Sequence, residues 1–166
     1  DITAWTSLPN GSPDPNTQSD TLSISLNTSL EGTYTIDPSG AGDYLDFNEA
    51  VDALINFGVC EPVVFNALPD TYNENLVIPE ISGASAINTI TFEGGDSTQV
   101  TLQYDKSGAS NAVVKLTGAN YITFRNMTVR NTDTDSDSWD FLFGQAANNN
   151  AVVACKIEVD PAGTTD

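Results

Sequence analysis

Four carboxylates at alternate or near-alternate positions, Asp133, Asp135, Asp137 and Asp140 in the run TDTDSDSWD, form a dense group of ligating side chains. Carboxylate oxygens are the donors Ca²⁺ prefers, and the spacing matches the opening of an EF-hand loop. The match stops there. Ser138 stands at the sixth position in place of Gly, and Gly144 at the twelfth in place of Glu. The run reads either as a Ca²⁺ site or as a solvated acidic turn. Arg125 and Arg130 lie just upstream and can clamp an anion or neutralise nearby Asp residues. The chain has no His, which removes the commonest general base and any imidazole metal ligand. No catalytic residue is assigned, and Ca²⁺ is the single cofactor the residues suggest. Asp43 and Asp46 in GDYLD are a weaker pair, because Asp46 is accounted for by helix capping.

Composition narrows the setting. Five Lys and Arg face 23 Asp and Glu, for a net charge of −18. Such a surface repels nucleic acid and anionic membranes, attracts divalent cations and favours solubility. No apolar run reaches the length of a membrane span, so membrane insertion is not expected. Heavy use of Thr, Ser, Asn and Asp with scarce Lys reads as extracellular. The chain opens on Asp rather than Met and without a basic-then-apolar leader, as expected of a mature form or a fragment.

The elements that must position these residues are mostly strands. In NAVVKLTGANYITFRNMTVRN, from Asn111 to Asn131, Ile122 and Phe124 alternate with polar neighbours, then the parity slips at Asn126 so that Met127 and Val129 share the apolar side. Alternation marks a half-buried strand. A slip at Asn marks a sharp bend, since Asn tolerates the left-handed backbone a bend needs. Further strands are expected in TLSISL (Thr21 to Leu26, as an edge strand), GTYTID, PVVF, LVIPEI, NTITF, VTLQY, VVKL, DFLF, VV and KIEV. Phe65, Phe92, Phe124 and Val152 recur at spacings of 27, 32 and 28 residues. A period near thirty with variable turns is a solenoid signature, because each coil buries its inward side chains on its neighbours. An immunoglobulin-like sandwich is the competing fold, and it accounts less well for the bends. One helix is expected from about Phe47 to Phe57. Asp46 is its N-cap with Glu49 three residues on, Phe47, Ala50, Val51, Leu54 and Ile55 form its apolar face, and Gly58 is its stop. Residues 1–31 read as a linker or the tail of a preceding module, 32–60 as an N-terminal cap, and 61–166 as coils.

GTYTID, DYLDFNEAVDALINFGVCEPVVFNAL, TYNENLVIPEISGASAINTITFEGG and LTGANYITFRNMTVRNT together resemble the start of a pectin-lyase-like domain, in the form found in large secreted surface proteins of Bacteroidetes. The resemblance covers roughly Gly32 to Val159. It implies an all-β fold, a right-handed parallel β-helix (solenoid) with an N-terminal amphipathic capping helix, and export as part of a longer adhesin-like polypeptide. It also implies that the C-terminal end is uncapped because a longer solenoid has been truncated. Family members that cleave pectic polysaccharides use Asp clusters with Arg or Lys on the outer face. No such motif matches here residue by residue.

Smaller features complete the reading. With Phe65, Phe92, Phe124 and Val152 in register, Cys60 and Cys155 lie three rungs apart, about 14 Å. A disulfide needs Cα atoms within roughly 7 Å, so both are expected as buried free thiols, Cys155 aligned with Met127. The strand Phe residues, including Phe141 and Phe143, are expected in the core. Trp139 and Tyr104 near turns either cover a coil edge or offer a sugar-stacking face. Thr21 and Ser97 sit in Asp-Thr-Leu and Asp-Ser-Thr, which resemble the O-glycosylation motif of exported Bacteroidetes proteins. Asn10, Asn27 and Asn126 fit the N-glycosylation pattern. The expected function is a non-catalytic structural or adhesive module that links flanking modules or self-associates, including into filaments. The alternative is a polysaccharide-binding or -cleaving domain using Ca²⁺.

Overall fold

The computed structural model describes residues 2–5, 21–24, 28–105, 112–132 and 139–159. Strands β1 (Ile2–Trp5) and β2 (Thr21–Ile24) pair antiparallel, so the segment read as a linker contains a small two-stranded sheet. Next come β3 (Leu30–Ile36), α1 (Phe47–Phe57), β4 (Val59–Ala67), β5 (Asp70–Asn73) and β6 (Leu76–Pro79). They are followed by β7 (Ile90–Glu93), β8 (Val100–Tyr104), β9 (Ala112–Thr117), β10 (Ile122–Arg125), β11 (Thr128–Asn131), β12 (Trp139–Gly144), β13 (Ala151–Val153) and β14 (Lys156–Val159).

From β3 onward the strands form three parallel sheets, in the orders β3-β4-β7-β10-β13, β5-β8-β11-β14 and β6-β9-β12. From β4 onward every third strand returns to the same sheet, which is a parallel β-helix of about four coils and excludes the sandwich. Phe65, Phe92, Phe124 and Val152 stand directly over one another. Tyr34 continues that column on Phe65, with centroids at 5.6 Å, then 5.1 Å from Phe65 to Phe92 and 4.9 Å from Phe92 to Phe124. Fully buried Phe side chains contribute about 1.5–3 kcal/mol each, and ring pairing adds about 0.5–1.5 kcal/mol. Tyr72, Leu102, Val129 and Ile157 form the equivalent column in the second sheet. Ile78, Leu116 and Phe143 form one in the third.

The corner at Asn126 is the bend the parity slip implies. Asn126 has φ of 55°, and Ala154 one coil on has 52°. Gly94 occupies the same corner in the preceding coil, where a Cβ would lie 2.4 Å from the Asn126 carbonyl oxygen. β5 was not expected from the sequence. Its residues, DTYN, carry one apolar side chain, and its pairing with β8 makes it a strand.

α1 takes the place that strands of the second and third sheets occupy in later coils, and packs against β3 and β6. Asp46 accepts from Glu49 N at 2.8 Å, and Glu49 accepts from Leu45 N at 2.7 Å. At the other end Gly58 N donates to Leu54 O at 2.9 Å. Phe47, Ala50, Val51, Ala53 and Leu54 are buried, whereas Ile55 is exposed. The buried stripe is centred on Ala50 and Leu54, so Ala53 rather than Ile55 falls inside it.

Candidate functional site

The outer face of the first sheet holds the best-organised polar cluster. Consecutive strands place Glu93 beneath Arg125. Arg125 Nε donates to Glu93 at 2.5 Å, Asn126 Nδ2 donates to the other carboxylate oxygen at 2.9 Å, and Gly95 N donates at 2.7 Å. Burial pushes the Glu93 carboxyl up, but these three donors and the guanidinium charge outweigh it and hold the group below the usual carboxylate range. Arg125 is thereby occupied as a clamp on Glu93. Arg130 lies in the second sheet, between Gln103 and Glu158 of neighbouring coils.

Of the four candidate Ca²⁺ ligands, Asp133, Asp135 and Asp137 lie outside the described residues. Asp140 is buried on β12, where its carboxylate accepts from Asn131 N at 2.8 Å. Asn131 Nδ2 donates to Trp139 O at 3.1 Å, so the pair ties together the two ends of the acidic loop. Burial raises Asp140 above its ordinary value despite the Asn131 hydrogen bond. Among the described residues, no three His, Cys, Asp or Glu side chains are grouped to hold a metal ion.

Two recesses open on the described surface. One of about 700 Å³ is lined by Thr28, Ser29, Glu31, Tyr34 and Cys60. The other, about 340 Å³, includes Leu45, Asp46, Tyr72 and Glu74 in its wall. Among the described residues, both walls carry carboxylates and neither carries Lys or Arg, a charge balance that does not favour an anionic sugar. Glu74 is a latch. Its two oxygens accept from Phe47 N at 3.1 Å, Asn48 N at 2.8 Å and Asn48 Nδ2 at 2.7 Å, fixing the N-terminus of α1 to the β5–β6 turn. Burial raises Glu74, and the hydrogen bonds oppose that rise. Tyr72 lies beside it, edge-on to Phe47 at 4.9 Å, and burial pushes its hydroxyl up to about 12. Nothing local in the sequence announces Glu74, which acts across 27 residues.

The modification motifs separate on geometry. Ser97 lies in the β7–β8 turn, partly exposed, and Asp96 beside it accepts from Thr98 N and Oγ1, each at 2.8 Å. Those two bonds hold Asp96 below its usual range. Thr21 opens β2 rather than a turn. Asn126 spends its amide on Glu93, and Thr128 is buried, donating from Oγ1 to Ser97 O at 2.6 Å. The Asn126 motif is thus folded into the coil. Asn10 and Asn27 lie outside the described residues.

Both cysteines are free, as expected, but Cys60 is exposed. The register between β3 and β4 jumps from Leu30–Val59 to Gly32–Val63, and this bulge lifts Cys60 out of the wall. Cys155 is half-buried among backbone carbonyls, and burial raises its thiol. Phe143, expected in the core, is exposed. Trp139 is exposed as well, and Tyr104 packs against the core from its edge. No family model and no curated protein matches this chain.

Proposed function

We propose that this chain is a non-catalytic structural module of a secreted or cell-surface protein, serving as a rigid support for display, adhesion or assembly with like chains. The observation that carries this reading is the Glu93–Arg125–Asn126 cluster. There the arginine on the outer face of the first sheet engages Glu93 of the preceding coil through Nε, tying coil to coil while half of its side chain stays exposed. A lyase of this general fold needs a base free to meet substrate. The coil-on-coil columns supply stiffness instead, since each rung is packed on the last. No helix among the described residues is long and apolar enough to cross a membrane.

The second reading is a polysaccharide-binding domain. Trp139, 53 % exposed on β12 beside the acidic loop, favours it, because an open indole face stacks on sugars. Incubation with polygalacturonate, with and without Ca²⁺, separates the two. The structural reading expects no unsaturated product and no retardation in a polysaccharide gel. Cleavage sinks it, and Ca²⁺-dependent retardation abolished by Trp139→Ala moves the assignment to the second reading.

A further inference from the structure

Beyond the structural reading, we propose that the edge of β5 is a docking groove for an extended, Lys- or Arg-bearing segment of a partner protein, which adds to the second sheet as a further strand. The N-terminal edges of the other two sheets are closed. β3 is bound by its own chain: Asp43 accepts from Thr35 N at 2.8 Å, and Asp43 N and Tyr44 N donate to Thr35 O. β6 has α1 packed against it. β5 ends its sheet, and among the described residues its strand partner is β8 alone. An uncovered sheet edge is a template for another strand.

Register decides which groups face the groove. In a parallel ladder, alternate residues turn both N–H and C=O toward the same neighbour. Glu74 N donates to Gln103 O of β8 at 2.8 Å, so Tyr72 shares that side, and Thr71 and Asn73 turn their backbone groups the other way. Both line the recess of about 340 Å³, whose opposite wall is Pro38, Leu45 and Asp46. The chain between β3 and α1 passes over the second sheet there without pairing. Among the described residues, no backbone bond joins residues 38–46 to Thr71 or Asn73. The Asp70 carboxylate accepts from Thr71 N at 2.6 Å, in the role a neighbouring strand's carbonyl would play.

Charge names the occupant. Residues 28–105 carry thirteen acids and no base, with Asp46 and Glu74 in the walls of the recess and Asp70 at the start of β5. Such a groove draws a cationic segment and rejects an anionic one. Residues 1–27 of the same chain carry three acids and no base, so they do not complement it. A second copy does not either. Lys115, Arg125, Arg130 and Lys156 sit within strands built into the solenoid, and Lys106 directly follows Asp105. Main-chain hydrogen bonds to Thr71 and Asn73 supply affinity in this mode, and charge supplies selectivity.

The test is calorimetric titration of the full chain with a short Lys-Thr repeat peptide, with the same peptide methylated at its backbone nitrogens, and with a Glu-Thr repeat. Amide hydrogen exchange is followed at Asn73. The expected result is saturable binding of one Lys-Thr peptide, weaker at high salt, with none for Glu-Thr. Backbone methylation keeps the charge but removes the strand's donors, and weakens binding by about tenfold or more. The Asn73 amide exchanges freely in the unbound chain and slows on binding. Asn73→Pro deletes that donor at an edge position where Pro is tolerated, and weakens binding by about tenfold while the melting temperature reports the fold intact. Absence of binding, equal binding of the methylated peptide, or an Asn73 amide already protected in the unbound chain overturns the proposal. The first two probes and the exchange measurement need no variant, and none of them depends on the polygalacturonate assay, so failure of the docking groove and failure of the structural reading are told apart.

Discussion

The two ends of the solenoid solve the same problem differently. A solenoid end left uncovered exposes backbone edges and the last members of the inner columns. At the N-terminal end Tyr34 and Tyr44 cover Phe65, Phe47 enters the core beside Tyr72 and Phe92, and the Asp43–Tyr44 turn uses the hydrogen-bonding groups at Thr35. At the C-terminal end Val152, Ile157 and Phe143 finish equivalent columns in partial contact with solvent. The side chains are similar in kind, so the difference lies in what covers them. A sealed end costs an element of its own, here one helix and one turn, and it gives the fold a fixed starting point.

Substitutions at matched positions sharpen this contrast. Phe47→Ala removes a fully buried ring, and chemical denaturation is expected to show a loss of about 3–5 kcal/mol, whereas Phe143→Ala costs about 1 kcal/mol or less. Equal losses would mean that the last coil is covered in solution. Glu74→Ala frees the first turn of α1, and unfolding curves are expected to lose about 1–2 kcal/mol. Ala154→Gly relieves a left-handed Ala in the open coil, with a gain of under about 1 kcal/mol expected in the same measurement.

The smallest effect is in pH. Asp140 and Glu74 bind protons more tightly folded than unfolded, so their contribution to stability rises as pH falls from neutral through their raised values. Glu93 and Asp96 have the opposite sign: their contribution is present above the ordinary carboxylate range and is lost as pH falls through their lowered values. A melting temperature followed against pH is expected to rise on mild acidification and then fall. Asp140→Asn flattens the rise and leaves the fall.

Much of the fold was legible because its signals are local. The Phe65–Phe92–Phe124–Val152 column follows from alternation and a repeat near thirty, and the Asn126 corner from a slipped parity. The helix ends were written in Asp46, Glu49 and Gly58. What the sequence hid depends on register between coils. Glu74 meets Phe47 N because the β5–β6 turn passes beneath α1. Cys60 is exposed because two strands of unequal length are joined by a bulge, and alternation alone gives no sign of it. β5 is a strand by virtue of its neighbour rather than its composition. The candidate site was legible in outline at Arg125, read as a neutralising clamp though its partner Glu93 was not foreseen, and at Asp140, whose role as the fastener of a loop required knowing that Asn131 N lies across from it.

The regular register between coils has a kinetic consequence. Phe65, Phe92, Phe124 and Val152 pair along the column with their predecessors and successors, at separations of 27, 32 and 28 residues. Each added coil therefore closes a loop of nearly constant length, and the entropy of closure is met in similar increments rather than in one long-range step. In a chain built this way a nucleus formed at any coil can propagate to its neighbours one rung at a time.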